Sequence, residues 1–190
     1  MTASAILTIN GGSSSIKFAI YETGTSPKRT LHGKIDRIAL PDCYLTFTDI
    51  HSHPQPGCPE PGETDSGDKT SLPVKAANLE EAGSFLADWL EKRPDFGQVR
   101  AIGHRVVHGM NHAHATIIDD DLLRELRDLY DFDPDHLPGE VALIELLRKR
   151  HPRLPQVACF DTAFHAGLPR VARILPIPRR FDQAGVRKYG

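Results

Sequence analysis

Three polar clusters in this chain carry side chains that could do chemistry together. The first, Asn10-Gly11-Gly12-Ser13-Ser14-Ser15-Ile16-Lys17, combines two glycines, three hydroxyls and an ammonium. Glycine tolerates positive φ and lets another molecule approach the backbone, while hydroxyls, N–H groups and a lysine all donate, so the stretch suits anionic oxygens. Its spacing is not the Gly-x-x-x-x-Gly-Lys-Ser/Thr of a Walker A loop. The second, Gly103-His104-Arg105-Val106-Val107-His108-Gly109, offers a fixed cation, and the third, Asp161-Thr162-Ala163-Phe164-His165, a carboxylate. An amide at Asn10, a guanidinium at Arg105 and a carboxylate at Asp161 suit phosphoryl transfer. Its transition state asks for charge neutralisation and in-line alignment more than for covalent help, and a carboxylate can hold the Mg²⁺ of a metal–nucleotide.

Each residue also has an ordinary alternative. Gly-Gly-Ser-Ser-Ser makes a flexible hairpin turn in many proteins. Arg105 can be a structural ion-pair partner, Asp161 a strand-end cap, and His104, His108 and His165 packed core histidines. The residues alone leave two readings open: a phosphate-handling enzyme, and a binding module without catalysis.

The elements that must position these clusters follow from periodicity. Ala5 to Ile9 enters the first cluster and the alternation Ile16, Phe18, Ile20 leaves it, which predicts a hairpin. Arg29 to Ile35 and Cys43 to Thr48 read as two more strands, separated by a turn with Pro41. From His51 to Pro73 the prolines, glycines and small polar residues predict a mobile surface insertion. His51 and His53 lie in it without further ligands and receive no role. Asn78 with Glu81 predicts a capping box for a helix carrying Leu79, Phe85, Leu86, Trp89 and Leu90, stopped by Pro94. Val99 to Arg105 reads as a buried strand. Helices then follow from Asp119 to Asp121 and from Pro138, and a last strand at Gln156 to Phe160 delivers Asp161 at its C-terminal end, where open α/β sheets bind ligands.

Composition narrows the partners. A 190-residue chain with 39% hydrophobic residues can bury a substantial core, and 23 Lys+Arg against 25 Asp+Glu give no positive field for nucleic acid and no polybasic block for a membrane surface. A small-molecule partner is expected. With no basic, apolar, cleavable leader and no run of eighteen apolar residues, the chain reads as cytoplasmic. Cys43, Cys58 and Cys159 are odd in number, widely spaced and without metal-ligand spacing, so they read as reduced thiols.

Ile9 to Phe18, Gly103 to Gly109 and Phe160 to His165 together resemble, in order, the successive motifs of acetate kinases. The resemblance implies an α/β fold: a ribonuclease H-like domain of the sugar kinase/Hsp70/actin superfamily, with a mixed sheet and flanking helices over residues 1–170. It implies ATP-dependent, reversible phosphorylation of acetate to acetyl phosphate by direct in-line transfer, with Mg²⁺ (or Mn²⁺). Asn10, Gly12, Ser13, Ser15 and Lys17 match the family's phosphate loop, and Asn10 and Asp161 its metal-associated positions. Asp161 and Arg105 match its catalytic carboxylate and its substrate-engaging arginine. Val107 matches one wall of the methyl pocket, and His136-Leu137-Pro138 takes the family's His-Asn-Pro position, with Asp135 where an apolar residue is usual. Gly11 and Met110-Asn111 are further departures. Propionate and butyrate are alternative acceptors.

In the family, Tyr-Gly is followed by a histidine motif, a second arginine, adenosine-binding loops and a glutamate. Residues 171–190 accordingly read as a truncated connection toward a C-terminal domain, and the 190-residue chain is expected to be inactive alone. A homodimer is implied for the complete protein. For this piece a monomer is expected.

Overall fold

The computed structural model describes residues 4–50, 69–110, 112–164, 167–184 and 186. Alternation of apolar and polar residues at the N-terminus produces two antiparallel strands, β1 (Ala5–Gly11) and β2 (Ser15–Glu22), with Leu7, Ile9, Ile16, Phe18 and Ile20 turned into the core. β3 (Lys28–Asp36) and β4 (Tyr44–Asp49) extend the antiparallel run as expected.

Lys69–Pro73 forms a further strand, β5, paired with β4 from Tyr44↔Pro73 to Thr48↔Lys69. The surface insertion read from His51 to Pro73 therefore does not extend over its last five residues. β5 is a polar edge strand with one half-buried apolar side chain, Leu72, and Pro73 ends it where an edge tolerates a missing donor. Alternation is too weak there to be seen in the sequence. Residues 51–68 of that insertion lie outside the described residues.

Asn78 caps α1 (Leu79–Glu91): its Oδ1 accepts from Glu81 N–H at 2.9 Å. Glu81 Oε2 in turn accepts from Ala77 N–H at 2.8 Å, so the reciprocal arm reaches one residue outside the cap. A 3-10 turn (Pro94–Gln98) leads to β6 (Val99–Val106), and a two-residue strand β7 (Thr116–Ile117) follows. Asp119 caps α2 (Asp120–Asp128) through Leu122 N–H at 2.8 Å. α3 (Leu137–Arg150) carries Pro138 in its first turn and Arg148, Lys149 and Arg150 in its last, which suits the helix dipole. β8 (Gln156–Phe160) precedes three short helices, α4 (Asp161–Phe164), α5 (Arg170–Arg173) and α6 (Arg179–Gln183).

The sheet order is β5-β4-β3-β2-β1-β6-β8-β7, with β1, β6 and β8 parallel and the remaining pairs antiparallel. This is the mixed sheet with flanking helices expected from the sequence. One core packs α1 and part of α3 on β1 to β4, with Leu86, Leu90 and Leu143 against Leu7, Ile9 and Ile20. A second packs α2 and α3 on β6 and β8 around Val106, Ile144 and Phe160. Each fully buried leucine or isoleucine contributes roughly 1.5–3 kcal/mol.

The parallel strands all run the same way, so the ends of β1, β6 and β8 meet at one edge. Residues 10, 105 and 161 arrive there together.

Candidate functional site: an arginine-centred cluster at three strand ends

The hairpin between β1 and β2 is tight. Gly12 N–H donates to Ser15 C=O at 2.7 Å, Ser13 is exposed and Ser15 half-buried. Neither Gly11 nor Gly12 takes a positive φ, contrary to the conformational role expected for them. Gly11 serves packing instead: a Cβ on it would stand 3.3 Å from Leu143 Cδ2, so its lack of a side chain lets α3 close over the strand end. Lys17 faces Asn10 across the hairpin register and is exposed.

Asn10 and Arg105 are register partners across β1 and β6, so their side chains share a face of the sheet. Arg105 Nη1 donates to Asn10 Oδ1 at 3.4 Å. Its Nε donates to Asp161 Oδ1 at 3.0 Å and its Nη2 to Asp161 Oδ2, a fork-to-carboxylate pair that a lysine could not make. The hydrogen bond with Asp161 raises the Arg105 pKa above its ordinary value despite partial burial. The guanidinium is 39% exposed and the Asp161 side chain 43%, so both are reachable from solvent. The three clusters read from the sequence thus converge on one cation.

The segment after β6 is fixed from two sides. Gly109 N–H donates to Thr162 Oγ1 at 3.1 Å, and His108 Nδ1 accepts from Met110 N–H at 3.2 Å. A Cβ on Gly109 would overlap the Phe160 ring at 2.3 Å, so only glycine passes there. Met110 sits at φ 47°, a left-handed conformation that costs a side-chain-bearing residue about 1–2 kcal/mol. Asn111 and His165 lie outside the described residues.

His136 stands at the N-terminal boundary of α3 with its ring on Asp133 Oδ1 at 2.8 Å. That contact raises its pKa above the ordinary value. Asp135 and His136 are exposed, and Val107 is half-buried. His104, by contrast, is buried with its Nε2 2.7 Å from Gln156 Oε1, and burial lowers its pKa to about 4. It is a neutral core histidine. Cys43 is buried and Cys159 exposed, and both are free thiols, while Cys58 lies outside the described residues.

One residue the sequence reading missed is Glu140. It is buried on α3, accepts from Val107 N–H through Oε2 at 3.0 Å, and brings Oε1 to 4.0 Å from Arg105 Nη1. Burial pushes its pKa up to about 7, against the lowering effects of the Val107 N–H, Arg105 and His136. The signal was available: position 140 falls on the apolar stripe Leu137, Val141, Ile144, Leu147, where a carboxylate is out of place.

Asn10 Oδ1 and the Asp161 carboxylate are hard oxygen donors. Among the described residues no group of three or more His, Cys, Asp or Glu is placed to hold a metal ion.

The fold recurs in known proteins. The Acetokinase family profile matches residues 5–190. The chain belongs to the acetokinase family. An acetate kinase of Rhodopseudomonas palustris is 35% identical over 190 residues, covering 97% of this chain and 44% of that protein. One from Clostridium botulinum is 34% identical over 187 residues, with 97% and 44% covered. The crystal structure of a propionate kinase from Francisella tularensis superposes with a TM-score of 0.77 at 30% identity, over 98% of this chain and 44% of that one. The acetokinase chain described here thus spans less than half the length of these relatives, and its sheet has the actin-like fold that its structural neighbours share.

Proposed function

We propose that this chain forms the acyl-phosphate side of a carboxylate kinase that reversibly phosphorylates acetate at the expense of ATP. The observation that carries the reading is the convergence of Asn10, Arg105 and Asp161 on one edge of the sheet. Curated relatives named acetate kinase support it.

In the transfer, a carboxylate oxygen of acetate bonds to the terminal phosphorus of ATP while the bond from that phosphorus to the bridging oxygen of ADP breaks. No proton need move. Arg105 neutralises the charge spread over the equatorial oxygens and orients the acceptor carboxylate with the N–H groups that Asp161 leaves free. Asp161 holds that fork in place before substrate arrives. Gly12, Ser13, Ser15 and Lys17 supply donors to the nucleotide phosphates from the hairpin, and Val107 and His136 border the acceptor. Mg²⁺ or Mn²⁺, held between Asn10, Asp161 and the phosphates, would add charge neutralisation at the transferring group.

The remaining elements of the reading belong to the complete protein: a second domain continuing from residues 171–190, a homodimer, and a cytoplasmic setting. No described helix is long and apolar enough to cross a membrane. Because the chain covers 44% of its relatives, we expect the 190 residues alone to bind acyl phosphate without turning it over. A coupled assay of acetyl phosphate formation on the complete protein and on this chain tests both statements. Robust turnover by the isolated chain would contradict the second, and binding without turnover in either would favour a non-catalytic phosphate-binding module. Running acetate, propionate and butyrate side by side addresses a second acceptor reading, which the likeness to a propionate kinase supports.

A further inference from the structure

Glu140 has no part in the transfer just described, yet it is the carboxylate buried most deeply beside Arg105, with a side chain 2% exposed. Oε2 is satisfied by Val107 N–H. Oε1 is buried without a hydrogen-bond partner, 4.0 Å from Arg105 Nη1. A buried, half-satisfied carboxylate is costly, and a nearby guanidinium is what lowers that cost.

We propose that Glu140 is a positioning residue for anion binding, anchoring the Val107 backbone and setting, through its charge, how much of the Arg105 cation is offered at the strand ends. The inference rests on the reading of Arg105 as the anion-engaging group. The charged groups around Glu140 are Arg105 on β6 and, from the segment ahead of α3, His136 and Asp133. Asp161 acts on Arg105 from beyond β8.

With burial pushing Glu140 to about 7, its charge changes near neutrality. When it is protonated, Arg105 keeps its hydrogen bonds to Asp161 and Asn10 with no charge on Glu140 drawing on it. When it ionises, a second anion competes with any ligand for the same guanidinium. By reciprocity, an anion on Arg105 must raise the Glu140 pKa and must bind more tightly where Glu140 is protonated. A shift of about one pKa unit corresponds to an affinity change of about tenfold.

The test uses sulfate as probe, because its charge does not change over the range. Calorimetric titration of this chain between pH 5.5 and 8.5 should show affinity falling about tenfold as pH rises. Glu140→Gln should abolish the step and hold affinity at the low-pH level. His136→Gln should keep the step, separating Glu140 from the neighbouring histidine. Carbon-13 NMR of the Glu140 carboxyl in the unmodified chain, with the Val107 amide as second reporter, should give a midpoint near 7 that moves up with sulfate. This readout stands even where a variant fails to fold. A step retained in Glu140→Gln, a Glu140 midpoint near 4.5, or no sulfate binding at any pH would overturn the proposal. Acetyl phosphate that fails to compete with sulfate while the step persists would count against the acetate kinase reading and leave the role of Glu140 standing.

Discussion

His104 and Arg105 are consecutive on β6 and face opposite sides of the sheet. His104 turns toward the helices, is 2% exposed, and settles its polarity in one hydrogen bond to Gln156. Arg105 turns the other way, remains half-exposed, and gathers Asn10, Asp161 and Glu140 around it. Strand alternation alone separates a histidine that is structure from an arginine that can act. Site chemistry on this sheet is a matter of face and of strand end, since the same turn of chain supplies both residues.

That contrast can be broken most decisively at Arg105. Removing a donor that stabilises a transferring group costs roughly 10²–10³ in rate. Arg105→Ala in the complete protein should lose acetyl phosphate formation on that scale while its melting temperature stays close to that of the unmodified protein. A large drop in stability with residual activity would instead make Arg105 a structural ion-pair residue.

His104 and the carboxylate beside Arg105, Glu140, should also titrate in opposite senses. His104 has a folded pKa near 4 against an ordinary 6.5, so the unfolded chain takes up its proton first. The stability this histidine contributes is complete above pH 6.5 and is lost as pH falls toward 4, by roughly 3 kcal/mol at most. Glu140 has a folded pKa near 7 against 4.5, so the folded chain holds its proton longer. Its contribution is complete below pH 4.5 and is lost as pH rises through 7, again by roughly 3 kcal/mol at most. Urea unfolding from pH 4.5 to 7.5 should be nearly flat in the unmodified chain and should rise with pH in Glu140→Gln. Parallel slopes would mean that Glu140 is not buried in its neutral form.

On the helix side, His104→Leu should destabilise by about 1–3 kcal/mol because Gln156 is left unpaired, and adding Gln156→Leu should recover most of that loss. Chemical denaturation of the single and double variants decides it. Additive losses would deny the pairing. The smallest effect is expected at Asp133→Asn, which removes the contact that raises the His136 pKa. Proton NMR should show the His136 midpoint fall, and an unchanged midpoint would show that Asp133 is not its partner.

The sequence carried the elements whose periodicity is strong: the first hairpin, β3, β4, β6, β8, the capped helices α1 and α2, and α3 with Pro138 in its first turn. The short edge strands β5 and β7 escaped because a mostly polar run of five residues and a run of two leave no period to read. Asn10, Arg105 and Asp161 were legible as strand-end polar residues, yet His104 carried the same signal and proved to be core. Face is decided by which side the helices cover, and that is set by residues far along the chain. Glu140 was overlooked because it sits inside a helix rather than at a strand end, though a carboxylate on an apolar stripe marks it. In sequence Gly11 reads as a residue that lets another molecule approach the backbone, whereas its role depends on Leu143 arriving from α3.

The central claim is that the open side of β6, and not its buried side, holds the anion. Calorimetric titration of acetyl phosphate into the 190-residue chain measures it directly, compared with Arg105→Ala and with the paired His104→Leu, Gln156→Leu variant. Saturable one-site binding that disappears in Arg105→Ala and survives in the paired variant is the predicted result. Undiminished binding by Arg105→Ala would contradict it.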